Sequence, residues 1–307
     1  MRKPRALRPG DRIAIVAPAS PFARDEFDAG VAELRRLGFE PIYNDAIFAR
    51  DHYIAGPAAL RARDFLDAWT DPNVAAVVAA RGGYGSVHIL PLLDPDAFRG
   101  EPKAFIAYSD NTSLLTWLVQ ECGVVTFHGP MVEGRFARGP AGYDRDTFTR
   151  CLCRSEPVGE IAPPQLEVLA PGEAAGELVG GTLTQLVASL GTPFAFDPPA
   201  GCVLFLDDVA ERPYRIDRML TQVRLSGLLE RVAGIVFNEL PGCDEPGGET
   251  RAIDAVRAAL CDFRGPILFG LPSGHTDGAM LTLPFGVLAR VRAGRRAALV
   301  IEEAAVS

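Results

Sequence analysis

The sequence lacks the features of two large classes of protein. None of its apolar runs approaches the roughly 20 residues that a membrane-spanning helix needs. Basic residues are not in excess, because the formal net charge of the 307-residue chain is −8, and no basic stripe interrupts that acidic balance. We therefore expect neither a membrane protein nor a nucleic-acid-binding protein.

The sequence lacks the cysteine spacing of the common metal sites. The six cysteines are scattered without a CxxC pair, and the HExxH pattern of zinc peptidases is absent. The basic start of the chain is interrupted by Asp11 and Arg12, and the apolar run Ile13–Ala17 is too short for a signal peptide. We expect buried, reduced thiols in a cytoplasmic protein that is not a zinc peptidase.

The first half of the chain alternates apolar runs with amphipathic segments. Helices are predicted between the apolar runs, for example over Arg24–Gly38, where apolar residues recur at helical spacing. This alternation is typical of an α/β domain with a doubly wound, mostly parallel sheet covered on both faces. In such sheets, ligands bind at the carboxyl ends of the strands. The predicted strands are Arg12–Pro18, Glu40–Asn44, Val74–Ala80, Ala104–Tyr108 and Val124–Phe127.

A polar, proline-rich stretch separates this half from the next. Residues 155–176 predict a linker between a first domain over 1–154 and a second over 177–307. The second half has strands of its own and two helices, over about Tyr214–Leu229 and Glu249–Leu260. Its predicted strands are Cys202–Leu206, Val232–Phe237, Pro266–Phe269 and a hairpin over Val287–Glu302.

Ser109 stands where a predicted strand meets a predicted helix. It follows the apolar run Ala104–Tyr108 directly, and a helix with capping residues at its start comes next. A serine on such a sharp turn presents its hydroxyl beside the next backbone N–H groups, which suits a nucleophile with an oxyanion hole. The alternative is a plain helix cap, although Asp110 and Asn111 can serve as caps equally well.

Three glycines follow the buried strand Val74–Ala80, within the loop Arg81–Ser86. Glycines let the backbone approach a ligand closely, but neither GxGxxG nor GxxxxGK[ST] fits, which argues against a nucleotide site. We interpret the segment as a substrate-facing loop in which Gly82 or Gly83 donates an N–H group to an oxyanion or a carboxylate. A plain tight turn is the alternative.

A nucleophilic serine needs a base, and the chain has only four histidines. His275, in the loop that follows the apolar run Pro266–Phe269, is the candidate. His128 also ends a predicted strand and is the rival, although we expect it to be structural. His52 and His88 have no supporting context.

The base in turn needs a carboxylate that fixes its tautomer and stabilises the imidazolium. Three acids follow the apolar strand Cys202–Leu206. Asp207 comes directly after it and is held most rigidly. Asp208 and Glu211 are more typical of helix-entry charges or salt-bridge partners.

Together these segments resemble the LD-carboxypeptidases, the serine peptidase family that also contains the microcin-immunity peptidases. The similarity runs along nearly the whole chain, and the joint order of the motifs is specific. The motifs are Gly10–Ala14 with Ala17 and Pro18, Arg81–Ser86, Tyr108–Asp110 with Thr112, His128–Pro130, Gly180 and Gly181 with Leu183, Leu190–Pro193, Leu204–Asp208 with Tyr214 and Ile216–Arg218, Gly274 with His275, and Leu283–Gly286.

The resemblance implies a Ser–His–Glu triad, with Ser109 as nucleophile and His275 as base. Asp207 occupies the position of the family's glutamate and is shorter by one carbon–carbon bond, about 1.5 Å. Either the local backbone brings Asp207 closer to the imidazole, or Glu211 substitutes for it, or activity is reduced. Ala107 is a second departure, because the family usually has glycine there.

The resemblance also implies a fold and an assembly. An N-terminal doubly wound domain carries the serine, and a C-terminal α/β domain with a swivelling-barrel-like sheet carries the acid and the histidine. Family members are usually cytoplasmic homodimers.

The implied function is hydrolysis of the amide bond to a terminal D-amino acid, with a murein tetrapeptide as substrate and D-alanine as product. The N–H of Asp110 and one from Gly82 or Gly83 would stabilise the oxyanion, and Arg81 would hold the free carboxylate. Two alternatives remain open: an immunity-type peptidase that cleaves a peptide–nucleotide antibiotic, and a non-catalytic two-domain ligand-binding protein.

Overall fold

The structure is a computed structural model that describes residues 1–307, and the chain divides into two units. The first comprises Met1–Pro157, Gly278–Gly286 and Ala304–Ser307. The second comprises Val158–Asp277 and Val287–Glu303.

Strands and helices alternate along most of the chain, as the sequence predicts. The strands are β1 (Arg12–Val16), β2 (Glu40–Ile42), β3 (Val74–Ala79), β4 (Ala104–Ala107), β5 (Thr126–His128), β6 (Gly159–Ile161), β7 (Glu167–Ala170), β8 (Gly172–Thr182), β9 (Cys202–Asp207), β10 (Val232–Phe237), β11 (Ile267–Phe269), β12 (Leu283–Phe285), β13 (Val287–Ala293) and β14 (Ala298–Ile301). The helices are α1 (Arg24–Arg36), α2 (Ala58–Thr70), α3 (Pro95–Phe98), α4 (Thr112–Gln120), α5 (Arg145–Cys153), α6 (Leu183–Ser189), α7 (Pro213–Leu225) and α8 (Ala252–Ala259). Short 3₁₀ turns cover Asp45–Phe48, Ser86–Leu92, Ser109–Asn111, Phe136–Ala141 and Leu228–Arg231.

The first unit contains a six-stranded sheet with the order β12-β5-β4-β3-β1-β2. All neighbouring pairs are parallel except β12 with β5. Every residue of β3 and β4 is buried, as expected for strands covered on both faces. The predicted doubly wound, mostly parallel sheet is confirmed. Because parallel strands end at the same edge, the loops after β1, β3, β4 and β5 share one edge of this sheet.

The second unit contains an eight-stranded mixed sheet with the order β6-β14-β13-β8-β9-β10-β11-β7. Its four central strands, from β8 to β11, run parallel, and the outer pairs are antiparallel. The carboxyl ends of the four central strands therefore share an edge. Thr182 and Asp207 end β8 and β9 there, Asn238 directly follows β10, and the loop after β11 leads to His275.

The division of the chain differs from the predicted boundaries. Residues 155–176, predicted as a linker, contain β6, β7 and the beginning of β8. The prolines of this stretch lie outside those strands, because proline cannot donate to a strand ladder, so they mark turns. Residues 278–286 belong to the first unit, since β12 pairs with β5. Composition alone does not distinguish a turn between short strands from a linker.

Candidate active site

Ser109 occupies a sharp turn between β4 and the helical turn that enters α4. Its φ angle is +63°, a left-handed conformation that costs a residue with a side chain about 1–3 kcal/mol. The strand before it and the apolar face of α4 behind it are both buried. The flanking elements are thus fixed, and the strain at Ser109 is retained by the packing around it.

The glycine loop packs directly against Ser109. A Cβ atom at Gly82 would lie 2.9 Å from Cβ and 3.0 Å from Oγ of Ser109. Gly83 has a φ of +94°, and a Cβ there would lie 2.5 Å from Oγ of Ser20. Only a residue without a side chain fits these two positions. Neither glycine donates its N–H to a backbone carbonyl, which leaves both groups for another acceptor.

Two serines hold the ends of this loop. The N–H of Ser20 donates to the carbonyl of Gly82 at 3.1 Å, and the N–H of Tyr84 donates to Oγ of Ser20 at 3.0 Å. Ser86 donates its N–H to Oδ2 of Asp110 at 2.8 Å and its hydroxyl to the carbonyl of Asp110 at 2.7 Å. The loop is therefore bonded both to the segment after β1 and to the residue that follows Ser109.

Arg81, predicted to hold a substrate carboxylate, is engaged by the protein itself. Its Nε lies 3.0 Å from a carboxylate oxygen of Glu133, and its Nη1 donates to the carbonyl of Pro21 at 2.8 Å. The side chain is 44% exposed, so solvent still reaches the guanidinium. Glu133 offsets much of the positive charge of Arg81.

His275 and Asp207, both in the second unit, are joined by two hydrogen bonds. Nδ1 of His275 lies 2.8 Å from Oδ2 of Asp207, and the backbone N–H of His275 donates to the same oxygen at 2.9 Å. Asp207 is fully buried, and the hydroxyl of Thr182 donates to its Oδ1 at 2.6 Å. An ionised carboxylate only accepts, so Nδ1 carries the proton and Nε2 keeps the lone pair that a general base needs.

These contacts explain how an aspartate reaches the imidazole. The backbone of His275 is docked on the carboxylate, so the ring lies close to Asp207 without a longer acid side chain. Nδ2 of the buried Asn238 donates to the carbonyl of His275 at 2.7 Å and fixes the loop from its other side. Glu211, the alternative acid, forms an ion pair with Arg215 at 3.3 Å. Of the two acids, Asp207 is the one bonded to the imidazole.

Asp208 is adjacent in sequence but has different partners. Its carboxylate accepts from the N–H and the hydroxyl of Thr184 at 2.9 and 2.8 Å, and from the N–H of Val209 at 2.9 Å. Burial, together with the charge of Asp207, raises the pKa of Asp208 to about 6. The contacts of Asp208 connect β9 to the beginning of α6.

The remaining histidines lie in other surroundings. His128 is fully buried, and its ring packs near those of Tyr108 and Phe285, with centroids 6.0 and 5.4 Å away. His52 is exposed, and the ring of His88 contacts that of Tyr84. The packing of His128 fits the structural role expected for it.

Sequence reasoning missed several residues that hold Asp207, His275 and the glycine loop in place. Thr182 and Asn238 contact Asp207 and His275, and Ser20 and Ser86 hold the glycine loop. For Asn238 a signal was available, because it is a polar residue directly after the predicted apolar strand Val232–Phe237. The ends of parallel strands meet at one edge whatever their distance in sequence. Thr182 carried no such signal, because β8 contains two glutamates and four glycines and was not predicted as a strand.

Two family descriptions match most of the chain. Residues 13–129 match the LD-carboxypeptidase N-terminal domain, and residues 175–291 match the LD-carboxypeptidase C-terminal domain. The chain belongs to the LD-carboxypeptidase family. The first match contains Ser109 and the glycine loop, and the second contains Asp207 and His275, so both sets of contacts described above lie within the family's own domains.

Similar proteins carry related names. The chain is 34% identical to the "Probable murein peptide carboxypeptidase" of Bacillus subtilis, over 99% of this chain and 95% of that protein. It is 31% identical to the murein tetrapeptide carboxypeptidase of Pseudomonas aeruginosa, over 86% and 88%. The chain is thus similar to two named carboxypeptidases over most of its length.

Solved structures of related proteins have the same fold. The muramoyltetrapeptide carboxypeptidase from Oxalobacter formigenes matches with a TM-score of 0.84 and 28% identity, over 95% of this chain and 99% of that one. The microcin C7 self-immunity protein MccF matches with a TM-score of 0.92 over 100% of both chains. At 24% identity, the likeness to MccF shows the fold alone.

No helix of this LD-carboxypeptidase is both long enough and apolar enough to cross a bilayer.

Proposed function

We propose that this LD-carboxypeptidase hydrolyses the amide bond between an L-centre and the terminal D-amino acid of a murein tetrapeptide, releasing D-alanine in cell-wall recycling. The names of the Bacillus and Pseudomonas relatives support this substrate. The observation that carries the proposed chemistry is the 2.8 Å contact between Nδ1 of His275 and Asp207. It leaves Nε2 as a base, the group that a serine peptidase requires.

In the proposed reaction, Oγ of Ser109 attacks the scissile carbonyl carbon while Nε2 of His275 takes its proton. Asp207 stabilises the imidazolium. The oxyanion accepts hydrogen bonds from the N–H of Asp110 and from Gly82 or Gly83, each donor being worth roughly 3 kcal/mol. His275 then protonates the leaving amine as the C–N bond breaks, and water hydrolyses the acyl-enzyme. No step uses a metal or an organic cofactor.

Arg81 is our candidate for binding the free carboxylate of the terminal D-amino acid. Its Nε contacts Glu133 and one N–H of Nη1 donates to Pro21, so Nη2 and the second N–H of Nη1 are left for the substrate. Loss of a carboxylate contact weakens substrate and transition state alike. Arg81→Met is therefore expected to raise KM more than it lowers kcat.

The proposal requires Oγ of Ser109 to come within hydrogen-bonding distance of Nε2 of His275. A serine-reactive fluorophosphonate should label the protein, and Ser109→Ala should abolish both labelling and release of D-alanine from tetrapeptide. Because alanine keeps the same backbone restriction at φ +63°, the variant is expected to melt near the wild-type temperature. D-alanine release by a folded Ser109→Ala protein would rule out the nucleophile assignment.

A peptide–nucleotide antibiotic is the second candidate substrate, favoured by the similarity to the MccF protein of Escherichia coli, at 28% identity over 92% of this chain. The murein candidate has more support, because the relatives named for it are more similar in sequence. Parallel turnover assays with tetrapeptide and with an aminoacyl nucleotide separate the two. A protein that binds either compound but shows no Ser109-dependent labelling would be a non-catalytic binding protein.

We also propose that the enzyme is a cytoplasmic homodimer. All six cysteines are free thiols; four are buried, Cys153 is partly buried, and Cys261 is exposed, contrary to the expectation of buried thiols. Burial raises the pKa of Cys122 and of Cys202 to about 12. Unpaired thiols of this kind are typical of a reducing compartment. Light scattering on the purified protein should give twice the chain mass of 32.9 kDa; a single-chain mass at micromolar concentration would contradict the dimer.

A further inference from the structure

Arg61 of α2 is a buried cation that the proposed reaction does not use. Only 3% of it is exposed. Its Nε donates to the carbonyl of Gly56 at 3.0 Å, and its Nη1 donates to the carbonyls of Gly85, at 2.7 Å, and Pro18. Arg61 thus ties together the segment after β1, the segment before α2 and the glycine loop. Burial of a guanidinium is unfavourable unless its charge is balanced.

The balancing charge is Asp110, which is connected to Arg61 through a single peptide unit. The carbonyl of Gly85 accepts from Arg61 at 2.7 Å, and the N–H of Ser86, in the same peptide, donates to Oδ2 of Asp110 at 2.8 Å. Opposite charges at its two ends polarise this peptide, so each hydrogen bond strengthens the other. Burial lowers the pKa of the Arg61 guanidinium, and the charge of Asp110 opposes that shift.

Asp110 is also the residue whose N–H we assign to the oxyanion. Its carboxylate and its carbonyl are both held by Ser86, and Oγ of Ser86 lies 2.6 Å from Oγ of Ser113 in α4. A continuous chain of bonds therefore leads from Arg61 through the Gly85–Ser86 peptide to the residue next to Ser109. This chain fixes the glycine loop against the turn that carries the nucleophile.

We propose that Arg61 is a positioning residue of the oxyanion hole, holding the N–H donors of the glycine loop and of Asp110 in place through the Gly85–Ser86 peptide. This inference rests on the proposed function, because it requires Ser109 to be the nucleophile. Arg61 touches no reacting atom. Its loss should therefore slow the chemical step while leaving substrate affinity nearly unchanged.

Lys103 offers a matched control within the same unit. It is also a buried cation, 6% exposed, and its Nζ donates to the backbone carbonyls of Asp71, at 2.6 Å, and Val74. These contacts lie at the amino ends of β3 and β4, the edge opposite to the glycine loop. A substitution of Lys103 removes the same kind of interaction without touching the loop.

The test measures the rate at which a fluorophosphonate phosphonylates Ser109, together with the melting temperature, for the wild type, Arg61→Ala, Arg61→Lys and Lys103→Ala. We expect Arg61→Ala to react about 10²-fold more slowly, the typical effect of losing one oxyanion donor. Its KM for tetrapeptide should change far less than its kcat, and millimolar guanidinium should restore part of the rate. Lys103→Ala should react at nearly the wild-type rate, even where its melting temperature falls as far.

Equal slowing in Arg61→Ala and Lys103→Ala, without recovery in guanidinium, overturns the proposal. If Arg61→Ala does not fold, Arg61→Lys decides, because lysine keeps the charge but lacks the planar fork that reaches several carbonyls. Slowing in Arg61→Lys supports the proposal, and a wild-type rate overturns it. Failure of the proposed function itself is distinguishable, since the wild type would then show no labelling that depends on Ser109.

Discussion

The two units hold their candidate catalytic residues by different physical means. In the first, Ser109 is presented by a strained φ angle, by a glycine at a position where a side chain would meet Oγ, and by a loop held by hydrogen bonds at both ends. In the second, His275 is presented by side chains, since Asp207 and Asn238 hold its ring, its N–H and its carbonyl. The surroundings of Ser109 thus depend on backbone conformation and close approach, and those of His275 depend on hydrogen bonds from polar and charged side chains.

Both arrangements nevertheless use the same feature of the fold. Each collects its residues at the carboxyl ends of neighbouring parallel strands, β1, β3 and β4 in one sheet and β8, β9 and β10 in the other. Residues far apart in sequence meet there because parallel strands end together. The difference between the units therefore lies in the groups around Ser109 and around His275, and single substitutions can test each unit separately.

Asp207→Asn should have the largest effect on activity, because it removes the negative charge beside the imidazole of His275. The amide keeps the shape of the carboxylate but loses its charge and favours the wrong imidazole tautomer, which lowers kcat by about 10⁴-fold in a serine triad. Steady-state release of D-alanine measures this loss. Glu211→Gln is the control and should keep most of the activity, as Glu211 pairs with Arg215. A larger loss in Glu211→Gln would assign the acid to Glu211 instead.

Gly82→Ala tests the role of the glycine loop beside Ser109 and should have the next largest effect on kcat. Its methyl group would lie within 3.0 Å of Oγ of Ser109, so the loop must shift and misplace a donor of the oxyanion hole, lowering kcat by roughly 10²–10³-fold. Gly100→Ala is the control, because a Cβ there meets nothing within 4 Å. If Gly82→Ala retains wild-type kcat, the loop takes no part in oxyanion stabilisation.

The difference between the local features around Ser109 and the long-range contacts around His275 also determines what the sequence could predict. The turn at Ser109 and the glycine loop are local features, because an apolar run, a serine and a helical segment are contiguous in the chain. The side-chain cap expected at the start of that helix is absent, since Asn111 makes no such hydrogen bond. The parallel sheet of the first unit follows from the same kind of pattern, in which apolar strands alternate with amphipathic helices.

The second unit was less predictable because its contacts join residues that are distant in sequence. No local pattern indicates that the backbone of His275 docks on Asp207, the contact that brings this short acid within hydrogen-bonding distance of the imidazole. Nor does any local pattern indicate that Asn238 donates a hydrogen bond to the carbonyl of His275. The prolines near residue 163 indicated turns correctly. The strands beside them, β6 and β7, pair with β14 and β11, which lie about a hundred or more residues away in sequence.

Asp64→Asn should have the smallest effect. It compares the half-buried carboxyl of Asp64 in the first unit with the buried carboxyl of Asp208 in the second. Burial, with the charge of Asp67, raises the pKa of Asp64 to about 6, as burial does for Asp208 in the second unit. Since this folded-state pKa exceeds the usual unfolded value near 4, the folded protein retains a proton between about pH 4 and 6 that the unfolded chain has lost. Stability therefore falls as the pH rises through this window.

Asp64→Asn removes the cost of burying this charge and should stabilise the protein by about 1–2 kcal/mol at pH 7, after allowance for partial exposure, and by nothing at pH 4. Asp208→Asn should not stabilise, because it weakens the bonds to Thr184 and Val209. Urea titrations at the two pH values measure both variants, and an equal gain for Asp64→Asn at pH 4 and pH 7 would show that the charge of Asp64 is not the cause.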